Sequence, residues 1–265
     1  MLNMLYSLWA YRGFIFGSVK REFQLKYRNS LLGAAWNIIN PLAMIVVYTV
    51  IFSQLMHSRL SSVDNSVYGY SVYLCAGTLT WGLFAEIVGR SQNTFIENAT
   101  LLKKLSFPRL CLPVVVIINA LINFSITISL FTLFLLLTDN FPGWVYVAIF
   151  PLLLILMGFA IGLGITLGVL NVFFRDVGHS FGIFLQFWFW FTPIIYPITT
   201  LPEVLQKLMV YNPMASIISA FQTVFVYRLW PQWDALIYPV ILAFLFCILG
   251  LYIFRMHVGE MVDEL

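Results

Sequence analysis

Few side chains in this sequence are of a type that does chemistry, and their spacing argues against catalysis. No lysine is followed by Ser or Thr, so no GxxxxGK[ST] loop is present to cradle nucleotide phosphates. There is no HExxH and no GxSxG, and His57, His179 and His257 are not spaced as a metal pair. Cys75, Cys111 and Cys247 stand far apart in or beside apolar segments, with no CxxC, and read as buried free thiols. The expectation is a chain that is no enzyme and holds no metal and no cofactor of its own.

The charged residues point instead to contacts at a membrane surface. Glu86 is the clear acid inside an apolar run, with Arg90 one helical turn later, a spacing suited to an ion pair. No other midplane acid suggests coupling to protons or sodium. A basic loop runs from Asn98 through Leu101, Leu102, Lys103, Lys104, Phe107 and Pro108 to Arg109. A short helix stopped by Phe-Pro suits a knob that fits a partner's groove; a plain basic loop at the membrane fits as well. Arg175 and Asp176 sit in a second short connection, capping helix ends or touching the same partner. Nothing suggests a nucleic-acid partner.

The elements that hold these residues follow from composition. Charged residues make up 9% of the chain and hydrophobic ones 61%. Soluble domains average about 25% charged, so most of this surface faces lipid. The expectation is an all-α integral membrane protein in one domain, 1–265. Six spans are expected at 31–57, 66–89, 112–137, 144–171, 178–197 and 235–254, each near the length that crosses a bilayer. Before them, 1–30 reads as an amphipathic interfacial helix with Leu5, Leu8, Trp9, Phe16, Val19 and Phe23 on one face. Arg12 falls near that face and needs a partner or must snorkel. Between the fifth and sixth spans, Pro193, Pro197, Pro202 and Pro213 forbid a continuous helix and predict short helices that re-enter or lie on the outer face.

With both termini cytoplasmic, eleven Lys and Arg fall inside and only Arg59, Lys207 and Arg228 outside. Positive residues favour the cytoplasmic side, which sets the orientation. In the fourth span Gly158/Gly162 and Gly164/Gly168 repeat at four residues and predict close helix packing.

Several short motifs in succession carry a resemblance. They are Tyr27-Arg28-Asn29-Ser30-Leu31-Leu32-Gly33 with Trp36 and Asn40-Pro41, then 98–113, and Asn171-Val172-Phe173-Phe174-Arg175-Asp176. Phe191-Thr192-Pro193-Ile194-Ile195-Tyr196 and Tyr211-Asn212-Pro213 complete the series. In this order the chain resembles the permease subunits of bacterial ABC-2-type exporters of O-antigen and related lipid-linked polysaccharides or teichoic acids. The resemblance implies a homodimer in the cell inner membrane, bound to two separate ATPase subunits that hold ATP and Mg. It implies that Asn98 to Arg109 form the coupling helix on the ATPase, with the helix around Tyr6 to Arg28 at the same junction. An exporter of drugs or small lipids is the alternative, and a membrane enzyme on lipid-linked sugars a more distant one.

A glycan conduit needs surfaces along which sugars slide. Phe184, Phe187, Trp188, Trp190 and Phe191, with Tyr196, offer rings for sugar C–H faces; an aromatic membrane belt accounts for them equally. Asn119 and Asn123 either line the channel or bond neighbouring helices. Lys20, Arg21, Lys26 and Arg28 stand where a lipid pyrophosphate head group would approach, or anchor the chain to anionic lipid.

Overall fold

Backbone amides that enter hydrocarbon have no water to bond, and a helix satisfies them locally. The computed structural model describes residues 6, 9–27, 32–55, 68–104 and 107–264, and among them all regular structure is helical. The chain runs through α1 (Arg12–Tyr27), α2 (Trp36–Leu55), α3 (Gly69–Glu97), α4 (Ala99–Lys104), α5 (Cys111–Leu137) and α6 (Ile149–Phe173). It continues with α7 (Asp176–Phe191), α8 (Glu203–Met209), α9 (Pro213–Gln222), α10 (Ile237–His257) and α11 (Glu260–Glu264).

Four segments are long and apolar enough to cross a bilayer: Gly69–Glu97, Cys111–Leu137, Gly143–Phe173 and Trp233–His257. A fifth candidate is the pair Glu203–Met209 and Pro213–Tyr227, bent by 94°. That bend is the broken arrangement the prolines predict, with Pro202 just before α8 and Pro213 in the first turn of α9. Length and composition do not reproduce the expected count of six. The expected fifth span, 178–197, ends early: α7 stops after 16 residues because Thr192-Pro193 breaks it. The apolar part of α2 is also short, Trp36–Ile51. Conversely, the second span runs past 89 to Glu97. Glu86 and Arg90 do not end that helix, because they pair with each other across one turn.

Helix α3 forms the centre of the bundle, burying residues along nearly its whole length. The repeated glycines of α6 let it press on two neighbours, as the spacing predicts. A Cβ at Gly164 or Gly168 would stand 2.7 Å from Ser91 of α3, and one at Gly162 would stand 2.5 Å from the Cys247 amide nitrogen of α10. Gly250 meets α6 from the other side, where a Cβ would lie 2.9 Å from the Gly162 carbonyl.

The wheel drawn for α1 needs correction. Ile15 and Val19 are buried against Cys111 and Val115 of α5, while Trp9 and Phe16 are exposed. The helix rides on protein through one face and presents rings on another. Leu5, Leu8 and Arg28 lie outside the described residues. Arg12 finds its partner locally, donating to the Trp9 carbonyl at 3.2 Å with its guanidinium over the Trp9 ring.

Candidate functional site

At the basic end of the bundle, Asn98 separates α3 from α4. Its side-chain amide donates to the Thr94 carbonyl at 2.9 Å, and its own carbonyl accepts from Leu101 and Leu102 at 3.0 Å each. The one-turn helix that follows has a fixed inner face. Leu102 is buried among Phe95, Leu112, Val172, Phe254 and Met261, and Leu101 is half-buried. The outer face carries Thr100 and Lys103, continuing from Glu97 at the end of α3, all exposed at three-residue spacing. Phe107 packs against Phe14 of α1, the rings tilted by 35° with centroids 4.7 Å apart, the Pro108 carbonyl accepts from the Cys111 amide, and Arg109 is half-buried. Lys104 closes the helix, and its side chain is outside the described residues.

Arg175 and Asp176 are exposed at the α6–α7 turn. Beneath them lies a buried hub that the motif 171–176 contains but its spacing does not reveal. The Asn171 side chain donates to the Gln92 carbonyl at 2.9 Å and to Asn93 Oδ1 at 3.1 Å, and accepts from the Gly178 amide at 2.8 Å. Position 178 must be glycine-sized, because a Cβ there would stand 2.6 Å from Asn171 Oδ1. One amide thus ties the ends of α3, α6 and α7 together. Asn171→Ala should lower stability by about 1–3 kcal/mol through the unpaired groups it leaves, and should speed hydrogen exchange at Gly178. Wild-type protection at that amide would refute the hub.

A second network went unseen in the sequence because Glu22 lies 68 positions from its partner. Arg90 of α3 forms ion pairs with Glu22 of α1 and, at 3.6 Å, with Glu86 one turn earlier. Asn119 and Asn123 of α5 donate to Glu22 and Glu86, each at 2.7 Å. Of the two roles expected for these asparagines, lining a channel or bonding neighbouring helices, the structure shows the second, at a three-helix junction. Their Oδ1 atoms are buried and unpartnered.

The aromatic helix α7 buries none of its residues within the protomer. Phe184, Phe187, Trp190 and Phe191 are each at least half exposed. Trp188 differs from them: it packs inward on Trp81, Phe84 and Phe159, and its indole N–H donates to Asn212 Oδ1 at 2.9 Å. Tyr196 folds back to donate to the Trp190 carbonyl at 2.8 Å. An open groove of about 370 Å³ runs between α3 and α7, lined by Trp81, Ala85, Leu185, Gln186, Phe189 and Trp190. The structure thus gathers five of the six expected rings along one exposed strip and its end, and leaves the asparagines elsewhere.

Of the basic cluster, Lys20 and Arg21 are exposed on α1, and Lys26 donates to Asn37 Oδ1 at 3.3 Å. Among the described residues no cluster of His, Cys, Asp and Glu is arranged to hold a metal.

Comparison with known proteins agrees with this architecture. The chain is 30% identical over 228 residues to an O-antigen export system permease protein of Myxococcus xanthus, covering 85% of each chain. It is 28% identical to one of Klebsiella pneumoniae over 256 residues, covering 96% of this chain and 95% of that one. A polysialic acid transport protein of Escherichia coli is 21% identical over 203 residues, 75% of each chain. The family model described as ABC-2 type transporter matches residues 14–226, from the α1 helix that carries Glu22 to the end of the bent outer pair, so this multi-pass membrane chain belongs to the ABC-2 type transporter family.

Proposed function

We propose that this chain is the permease subunit of a polysaccharide exporter in the bacterial inner membrane, with both termini cytoplasmic. It works as a homodimer with two copies of a separate ATPase subunit, which binds the ATP and Mg, and it moves a lipid-linked glycan of the O-antigen type. The relatives named for O-antigen export support the cargo. The carrying observation is the two-faced α4: Leu102 locks it into the bundle while Thr100 and Lys103 are exposed. A knob anchored on one side and bare on the other suits a docked engine better than a lipid-facing loop does. The exposed rings of α7 supply a sliding surface once a second protomer faces them. Lys20 and Arg21, exposed on α1, suit an approaching lipid phosphate.

The two faces of α4 separate coupling from folding. Lys103→Glu should change stability by no more than about 0.5 kcal/mol, as exposed substitutions do. It should cut glycan-stimulated ATP turnover in the purified complex by about tenfold, the loss of one interface contact worth about 1.4 kcal/mol. Leu102→Asp should instead unfold this end of the bundle before any partner is added. If Lys103→Glu left turnover and export intact, the coupling role of α4 would be lost.

A further inference from the structure

A feature left without a role is a cavity of about 510 Å³ at the end of the bundle opposite α4. It opens between the outer end of α3, the bent pair and the stretch leading to α10. Its volume falls within the range of about 300–1,000 Å³ common for small-molecule sites. Its chemistry is specific. The rings of Tyr227 and Trp230 line it together with Thr199, Ser216, Ser219 and Gln232. The side chains of these last four have no hydrogen-bond partner among the described residues. Among the described residues no acid, lysine, arginine or histidine lines the space.

A cation is available nearby and is turned away. Arg228, between Tyr227 and Leu229, adopts a left-handed backbone with φ of 56°. Its guanidinium donates to the Asp139 carbonyl at 3.3 Å and Asn140 Oδ1 at 2.9 Å, at the end of α5. A non-glycine residue is strained in that conformation, and here the strain accompanies a guanidinium held away from the cavity.

Three ligand classes can be weighed against this lining. A phosphate or carboxylate would find no counter-charge. An acyl chain would cover four uncompensated hydroxyl and amide groups, each expensive to leave unpaired once dehydrated. A neutral pyranose satisfies both halves: its hydroxyls meet the Ser, Thr and Gln groups, and its C–H faces stack on the rings. We infer that this cavity is a binding site for uncharged sugar units of the exported glycan, an inference that rests on the proposed function. The site is half open, and its contacts are individually weak, as conduction requires of any station that must also release its cargo. The buried Tyr73 links the cavity to α3, donating to the Pro193 and Tyr196 carbonyls at 3.2 and 3.1 Å.

The test uses the full chain in a sugar-free zwitterionic detergent and saturation-transfer NMR. The probes are neutral trisaccharides of glucose, galactose, mannose and rhamnose, with trigalacturonate as an anionic control. At least one neutral probe should bind, with transfer strongest at ring C–H protons, and trigalacturonate should not. Trp230→Ala and the pair Ser216→Ala/Gln232→Ala should each weaken binding at least about fivefold, as loss of an anchor does, while Trp230→Phe retains it. Unchanged melting temperatures establish that the variants fold. Binding by none of the neutral probes, equal binding of the anion, or binding indifferent to both variants would overturn the site. Glycan export by cells carrying the permease with its ATPase is scored separately. Export without oligosaccharide binding removes this site alone, whereas binding without export removes the proposed function and leaves the site.

Discussion

Gly162→Ala should be the most damaging single methyl that can be added to this bundle, lowering stability by about 3 kcal/mol or more, the upper range for overpacking. The new Cβ would lie 2.5 Å from the Cys247 nitrogen and 2.6 Å from the Phe246 carbonyl carbon. Both are backbone atoms in the middle of α10 and cannot rotate aside. Relief requires α6 and α10 to separate, which also opens the Gly250 contact on the same seam. Gly158→Ala, one turn earlier, is the matched control, because its Cβ would sit an ordinary 3.6 Å from the Ala243 Cβ. Thermal unfolding in detergent should show a large loss for the first and none for the second. Equal losses would mean that the seam is looser than described.

Arg90→Gln should have the next largest effect. It would leave Glu22 and Glu86 as two carboxylates around a junction of α1, α3 and α5, with no cation between them. Breaking a buried ion pair costs about 3–5 kcal/mol. These side chains are 29–37% exposed, so water screens part of that cost and about 2 kcal/mol is expected. The effect should be reversible by chemistry rather than by bulk. Adding Glu22→Gln removes the stranded charge, and the amide introduced there can donate to the orphaned Asn119 oxygen. The double variant should therefore be more stable than Arg90→Gln alone in a thermal double-mutant cycle. If the two losses simply add, the network carries no coupling energy. Release of α1 should accompany the single variant, visible as faster proteolysis before Tyr27.

The contrast between these two sites shows what the sequence exposes and what it hides. Gly158 and Gly162 share one face of their helix and Gly164 and Gly168 another, each pair one turn apart, so their role in packing follows from period alone. The same holds for the apolar runs, and the prolines from Pro193 to Pro213 announce a bent outer segment. Pairings across distant elements leave no such trace. Glu22 is one acid on a basic helix, and nothing near it in the chain indicates Arg90 or Asn119. Asn171 is likewise an ordinary polar residue at the end of an apolar helix until Gln92 and Gly178 are brought beside it. Orientation is the other hidden quantity. A helix as short as α4 has no reliable period, so Leu101 and Leu102 read as a contact for a partner although Leu102 faces the bundle. In α1, Phe16 and Val19 share a nominal apolar stripe, yet packing on α5 selects Ile15 with Val19 and turns Phe16 outward. Asn119 and Asn123 read from the sequence either as channel lining or as bonds between helices, because polarity within a span fits both. Their true neighbours are two carboxylates.

Helix α3 has 29 residues without a break, about 43 Å at 1.5 Å per residue, and so outreaches a hydrocarbon core of about 30 Å. One tip is fused through Asn98 to the knob, while near the other Tyr70 and Tyr73 grip the carbonyls of Ile195, Pro193 and Tyr196. A stiff beam held this way is a rocker arm. Tilting it by about 10° about one tip would sweep the other through about 7 Å, more than the width of a pyranose ring, so under the proposed coupling a modest stroke at α4 would be geared up into a full sugar step at the opposite end of the helix.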